Sequence, residues 1–499
     1  MPARSPFARP ARVIVLLLVA LLVAQPAVSL AADPTEDVVG GVPVAANPEL
    51  ADAAPGVAMP AGVLWTSDGR ALWERGADDE RAMASTTKIM TALVVLDHAD
   101  LDEVVTVSAR AARVGEAGIK LVAGQQLTVG ELLEGTVVRS GNDAAFALAE
   151  HVAGDVESFV GMMNEKARAL GLGDTSFANP HGLDAPNHYT TAEDLATIAM
   201  VAMRDPRFAA LVRMPMITVK QADGAVVTYE NSNKLIGTYP GATGVKTGWT
   251  NKAGYCVVAS AERDGVGFVA VVLGGTSEDD RFVQARTLLD WGFEHYRIVP
   301  VSSAEETASL VAVTDYLDRQ VAALVSETVE VPVFDLDGEV TTRIDVMTEI
   351  DAPVVAGQRL GTATVVQGDR LLAQIPLVAA ESVLEPDTWE ALEIWFTRLW
   401  RRVFGGELVA VPVPVMCEET DRGGRHRASY PAARRARGAR CAHGGLRGLA
   451  DARAVRGHHR GAHGGQDRRR HLRRVAHGRV PRVRCGGQGS APAHRHQRS

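Results

Sequence analysis

Ser85 and Lys88 stand three residues apart in Ala84-Ser85-Thr86-Thr87-Lys88, and that spacing could unite a nucleophile with its base. Residues at i and i+3 share a helix face, so Ser85 Oγ and Lys88 Nζ can meet. A serine hydroxyl attacks poorly at neutral pH unless something takes its proton. Lysine serves only if burial or a second cation depresses its pKa. A lone Ser-x-x-Lys tetrad occurs by chance. Here it has company: Ser140-Gly141-Asn142 brings a second hydroxyl and an amide, and Lys246-Thr247-Gly248 a second lysine. Together these groups suit acyl transfer through a serine ester.

Bringing them together requires particular elements. A helix should start near Ser85 and run to about Asp97. Val129–Val138 and Asp143–Val152 read as amphipathic helices that bracket residues 140–142 as a short loop. Thr191-x-x-Asp194 opens another helix, a relative of the capping box. Ala61–Thr66 and Ala71–Glu74 alternate as strands about a turn at residues 67–70. Tyr255–Ala261 and Gly267–Leu273 are strands around Asp264-Gly265, a strong hairpin signal. Asp280–Tyr296 closes the region as a helix. Strands at both ends of a helical middle predict an α+β domain over residues 58–296, with an antiparallel sheet flanked by helices.

The flanking segments differ in texture. Residues 1–31 have the pattern of a secretory signal peptide: Arg4, Arg9 and Arg12, then the apolar run Val13 to Ala24, then Ser29-Leu30-Ala31 as a cleavage site. That pattern implies export to the extracytoplasmic face of the cell membrane or the cell wall. Residues 32–57 lack periodicity and read as a linker. Residues 299–385, with Val-rich alternating segments punctuated by glycine, read as a small β-sandwich domain. Residues 387–404 form an amphipathic helix with Trp389, Leu392, Phe396, Leu399, Trp400 and Val403 on one face. Arg398, Arg401 and Arg402 flank that face, a composition suited to lying on a membrane surface.

Of 499 residues, 46% are hydrophobic, and the net charge of −8 hides an asymmetry. Residues 417–499 carry 21 Arg, no Lys and 5 acidic residues, a charge of +16, against −24 for the rest. The acidic body argues against nucleic-acid binding. The Arg/Gly/Ala/His-rich tail reads as disordered or as a frameshifted stretch of a GC-rich gene. No Cys/His spacing there matches a zinc site, and no metal or cofactor is expected. Cys256 lies in an apolar run as a core residue.

With its three motifs in this order, the chain resembles the low-molecular-mass penicillin-binding proteins, the serine-type D-alanyl-D-alanine carboxypeptidases. The resemblance extends to Ser140-Gly141-Asn142-Asp143-Ala144-Ala145, Phe177-Ala178-Asn179-Pro180-His181-Gly182-Leu183, Asn231-Ser232-Asn233-Lys234-Leu235 and Gly244-Val245-Lys246-Thr247-Gly248. Met83 departs from the family, which often has Pro before Ala-Ser. The resemblance implies a β-lactamase/DD-peptidase-like fold followed by a small all-β domain and a C-terminal amphipathic helix. It implies as partners a peptidoglycan stem peptide ending in D-Ala-D-Ala, and β-lactams as covalent inhibitors.

It also implies roles. Ser85 is the nucleophile and Lys88 its base, with the pKa of Lys88 lowered by Lys246. Ser140 relays a proton to the leaving amine, and Asn142 holds the substrate amide and Lys88. The backbone N–H groups of Ser85 and Trp249 form the oxyanion hole. Lys246, Thr247, Gly248 and Trp249 bind substrate, Lys246 and Thr247 at the terminal carboxylate, and Arg281 clamps that carboxylate, which favours exo- over endopeptidase action. His181 reads as part of a structural turn, Asp143 as a helix N-terminal charge, and Asn231 and Asn233 as partners of backbone groups. Two other readings are a class A-like β-lactamase and a wall-binding protein without catalysis. The first needs a Glu that activates a deacylating water, and no Glu-x-x-x-Asn lies between Asn142 and Lys246.

Overall fold

The computed structural model describes residues 36–405. The signal peptide and the Arg-rich tail expected from sequence lie outside the described residues. The chain opens with β1 (Asp37–Val39), β2 (Val42–Pro43), α1 (Pro48–Ala53), β3 (Ala61–Thr66) and β4 (Ala71–Arg75). A 3₁₀ turn, Ala84–Thr87, leads into α2 (Lys88–His98). The small hairpin β5 (Val104–Thr106) and β6 (Gln126–Thr128) follows, then α3 (Val129–Val137), α4 (Asn142–Ala153) and α5 (Val156–Ala169). Next come α6 (Ala192–Met203), α7 (Pro206–Val212), and the hairpin β7 (Met216–Lys220) and β8 (Val226–Glu230). The domain ends with β9 (Ala242–Thr250), β10 (Gly254–Arg263), β11 (Val266–Gly275) and α8 (Glu278–His295).

The main sheet has the order β2-β1-β4-β3-β11-β10-β9, every neighbour antiparallel. Its central strands are buried on both faces, which explains their near-continuous apolar sequence. Along β11, Phe268, Ala270 and Val272 join the core under α8, while Val269, Val271 and Leu273 join the core under the helical middle. The side chains therefore alternate with the period of two that a strand imposes. The linker expected over 32–57 is corrected where the chain is described: β1 and β2 extend the sheet edge, and Val39, Leu50 and Val57 enter the core. Strands of two or three residues carry too little periodicity to be read from sequence.

The β domain adjoins without a spacer. Strand β12 (Tyr296–Ser302) begins where α8 ends and pairs with β15 (Val329–Phe334), reached through β13 (Thr307–Val313) and β14 (Gln320–Val325). The remaining strands are β16 (Val340–Val346), β17 (Glu349–Ile350), β18 (Arg359–Gln367) and β19 (Arg370–Ala379), in a sheet of order β16-β18-β19-β14-β13-β17. Tyr296 and Phe334 reach into the core under α8, and Arg70 lies over both rings and pairs with Asp337.

Helix α9 (Thr388–Phe404) starts at an Asp387 capping box and buries none of its residues. Arg398 donates to the carbonyls of Thr314 and Tyr316, and Arg401 pairs with Asp318 at 3.5 Å. Trp389, Phe396, Trp400 and Val403 are 79%, 61%, 62% and 64% exposed. Among the described residues, no helix is long and apolar enough to cross a membrane.

The loop at residues 179–183 is pinned over the 3₁₀ turn. Asn179 Oδ1 accepts from the N–H groups of His181 and Gly182, and Thr91 Oγ1 donates to Pro180 O. Gly182 has φ +90°, and a Cβ there would sit 2.0 Å from Ala84 O. Gly182→Ala should therefore cost about 2–4 kcal/mol. A denaturant melt measures the loss, and an unchanged midpoint would mean that the loop can lift off the turn.

Candidate active site

Ser85 sits on the 3₁₀ turn ahead of α2, half-buried, and Lys88 occupies the helix's first turn, fully buried. Lys88 Nζ lies 2.8 Å from Ser85 Oγ, 2.7 Å from Asn142 Oδ1 and 2.5 Å from the carbonyl oxygen of His181. Asn142 Nδ2 donates to Gly115 O at 3.0 Å, which fixes the amide so that its oxygen faces Lys88. An amide oxygen and a carbonyl oxygen can only accept, so two Nζ hydrogens are committed. Ser85 alone of the three partners can also donate. A neutral Lys88 therefore aims its lone pair at the serine proton.

The surroundings favour that neutral form. Burial, then the charge of Lys246, pushes the Lys88 pKa well below its ordinary value, with Asp143 opposing. Lys246 is itself buried in mid-β9, and burial, followed by Arg281 and Arg139, lowers its pKa to about 7. Removing an ammonium from water is costly, and a like charge nearby adds to the cost. Repulsion by Lys246, expected from the motifs, is present but second to burial.

Other predicted residues converge on the same place. Ser85, Ser140, Asn142, Thr247, Gly248, Trp249 and Arg281 all line one cavity of about 310 Å³. Ser140 stands between α3 and α4 with φ +72°. Gly248 passes so close to the nucleophile that a Cβ there would lie 2.9 Å from Ser85 N and 3.1 Å from Met83 O. Trp249 is 48% exposed, and its ring centroid lies 5.8 Å from that of Tyr255. Arg281, in the first turn of α8, is only 6% exposed and donates through Nη1 to Gly248 O at 3.0 Å. Its Nε is buried with no hydrogen-bond partner.

Residues read as structural behave so. Asp143 accepts from the N–H groups of Ile119, Leu121 and Ala144, tying the 115–121 loop to α4. Asn231 Nδ2 donates to the carbonyls of Val212 and Met214, and Asn233 Oδ1 accepts from Leu235 N. The His181 ring is held neutral, its pKa pushed down to about 3 by burial and then by Lys88. Its carbonyl, by contrast, is a direct partner of Lys88. Cys256 is a free, buried core thiol, raised to about 11 by burial.

Three contributors escape the sequence reading. Ser232 accepts from Thr247 Oγ1 at 2.9 Å, and its N–H reaches Val138 O, linking the strand to the loop of Ser140. The His181 carbonyl has no side-chain signature. His188 Nδ1 accepts from Ala178 N, so Nε2 carries the hydrogen and donates to Thr87 Oγ1, which donates in turn to Ala84 O. That chain steadies Ala84, whose φ of +49° is unusual for a residue with a side chain. Among the described residues no cluster of His, Cys, Asp or Glu could hold a metal ion.

The fold and the site define a serine acyl-transfer enzyme of the Ser-x-x-Lys type. The profile described as D-alanyl-D-alanine carboxypeptidase matches residues 55–277, and that of the penicillin-binding protein 5 C-terminal domain matches residues 296–385. D-alanyl-D-alanine carboxypeptidase DacF of Bacillus subtilis is 34% identical over 324 residues, covering 63% of this chain and 83% of that protein. DacC of Escherichia coli is 32% identical over 374 residues, covering 72% and 90%. The crystal structure of DacD from Francisella tularensis superposes with a TM-score of 0.50 at 27% identity, covering 66% of this chain and 94% of that one. The chain belongs to the D-alanyl-D-alanine carboxypeptidase family of low-molecular-mass penicillin-binding proteins.

The depressed lysine has a measurable consequence. In the fold Lys246 loses its proton near pH 7, whereas unfolded it keeps it to about 10.5. Across that interval the unfolded chain binds more protons, so rising pH stabilises the fold. The stability of the protein minus that of Lys246→Met should climb across the interval by a few kcal/mol, on the order expected for such a shift. A flat difference would mean that Lys246 stays charged in the fold.

Proposed function

We propose that the protein removes the terminal D-alanine from peptidoglycan stem pentapeptides through an acyl-enzyme on Ser85, and that β-lactams trap it at the same step. The observation that carries this reading is Lys88, buried, with two acceptors fixed and Ser85 as its only amphoteric partner.

Ser85 Oγ attacks the carbonyl carbon of the penultimate D-alanine while its proton passes to Lys88 Nζ. The N–H groups of Ser85 and Trp249 hold the oxyanion, each donor worth about 10²–10³ in rate. The C–N bond then breaks, and the leaving amine takes the proton from Lys88 by way of Ser140. Lys246, Thr247 and Arg281 hold the terminal carboxylate. Water next attacks the ester, its proton goes to Lys88, and Ser85 is regenerated as D-alanine-shortened peptide leaves. A β-lactam acylates Ser85 in the same way, but its leaving amine stays tethered. No Glu-x-x-x-Asn segment is present to speed the ester's hydrolysis.

The protein works outside the cytoplasm, exported by residues 1–31 and resting on the membrane through residues 387–404. The exposed Trp389, Phe396, Trp400 and Val403 on α9 support this anchor, because tryptophan and arginine favour the interface. The arginines that touch the β domain leave the aromatic side chains outward.

Two experiments test these statements. Fluorescent penicillin should label the protein durably, a pentapeptide should lose D-alanine, and Ser85→Ala should abolish both. Rapid penicillin turnover would sink the carboxypeptidase reading in favour of a β-lactamase. Deleting residues 387–404 should release the mature enzyme from anionic vesicles without lowering its activity in solution. Undiminished sedimentation with vesicles would place the membrane contact elsewhere.

A further inference from the structure

His188 is 4% exposed and sits just ahead of α6 on firmly held backbone. Tyr189 exchanges two main-chain hydrogen bonds with Ser176, and Thr190 exchanges two with Arg81. Arg81 in turn lies just ahead of the nucleophile turn, so histidine and turn share an anchorage. Phe177 meets the ring at its edge, with centroids 6.1 Å apart. Burial lowers the ring pKa to about 4, against the pull of Asp184 and with the push of Lys252 and Lys88, so the ring is neutral. Nδ1 accepts from Ala178 N at 3.0 Å, which leaves the single ring hydrogen on Nε2. Nε2 donates to Thr87 Oγ1 at 2.8 Å, and Thr87 uses its own hydrogen on Ala84 O, also at 2.8 Å.

That last bond holds a peptide plane. The Ala84–Ser85 bond is trans, so the Ala84 carbonyl and the Ser85 N–H point opposite ways in one plane. Fixing Ala84 O therefore aims Ser85 N–H. The first hydrogen bond of the turn runs from Thr86 N to Met83 O at 3.3 Å, which leaves Ser85 N–H without a partner inside the turn. On the acyl-enzyme reading this N–H is one of the two oxyanion donors. Ala84, at φ +49°, holds a backbone conformation that an alanine rarely adopts unaided. Gly182 presses on Ala84 O from its own side, but such a contact only blocks approach. Thr87 supplies the directional pull.

We propose that His188 is a positioning residue for acylation: through Thr87 it sets the tilt of the Ala84–Ser85 peptide, and so the aim of the Ser85 N–H at the developing oxyanion. The proposal rests on the acyl-enzyme reading of Ser85. His188 touches neither the reacting atoms nor the cavity wall, and it moves no proton. Its two nitrogens have separable roles. Nε2 serves the nucleophile turn through Thr87, while Nδ1 serves the main chain at Ala178. A side chain that replaces only one of them therefore tells the two apart.

His188→Asn keeps an acceptor near the place of Nδ1 and loses the donor to Thr87. His188→Gln reaches the place of Nε2 with an amide N–H. For both variants the rate of acylation by a fluorescent penicillin is measured, together with the infrared carbonyl stretch of the resulting ester. His188→Asn should acylate roughly tenfold to a hundredfold more slowly, a part of what losing a whole oxyanion donor costs. Its ester carbonyl should absorb at higher frequency, because weaker hydrogen bonding leaves the C=O bond stiffer. His188→Gln should recover most of the rate and the original frequency. Thr87→Val breaks the same link from its other end. It should slow acylation by a similar factor and add nothing when combined with His188→Asn. Equal losses in the Asn and Gln variants, or slow acylation with an unmoved carbonyl band, would mean that His188 only supports the fold, and the proposal fails alone. An unimpaired Thr87→Val overturns it even where His188→Asn does not fold. If the unaltered protein forms no ester with penicillin, the acyl-enzyme reading itself fails and takes the proposal with it.

Discussion

The structure is organised around the need to keep two lysines in one dry place. Lys88 and Lys246 are both fully buried, and neither has a carboxylate in ion-pair contact. An arrangement of that kind opposes folding, since buried charge is costly and like charges repel. The surrounding cores must offset it. Helix α2 is apolar on nearly every side, and β9 lies against a strand pair buried on both faces. What results is an amine biased toward its neutral form by burial and by a neighbouring lysine, held within hydrogen-bond reach of Ser85.

The backbone around that amine carries as much of the site as the side chains do. Lys88 is oriented by a carbonyl from the 179–183 loop, and that loop presses on the turn before Ser85. The edge strand closes from the opposite side at Gly248. Ser85 is thus held between two stretches of main chain, which fixes the direction of its own N–H group. Asp143 and Ser232 then secure the 115–121 loop and the Ser140 loop at the cleft's mouth. Electrostatic preorganisation of this kind requires no rearrangement during reaction.

Much of this was legible in the chain of letters. Asp264-Gly265 marked the hairpin, and Thr191 with Asp194 marked the start of α6, because turns and caps are local. The nine candidate residues came together, since each motif carries its own neighbourhood with it. Illegible were contributions without a side-chain signature or a period: the His181 carbonyl, the His188 relay and the two short edge strands.

The close passage of Gly248 and Gly182 against the nucleophile turn also bounds how such an enzyme can evolve under antibiotics. Drug and substrate form the same bonds to Ser85, and the main chain on both sides leaves no room for a discriminating side chain. Resistance by altered selectivity must therefore come from the cavity's outer rim, where Glu116, Asp184 and Asn251 are exposed to solvent. There a bulky antibiotic substituent and a slender peptide diverge, and mutation can tell them apart without disturbing catalysis.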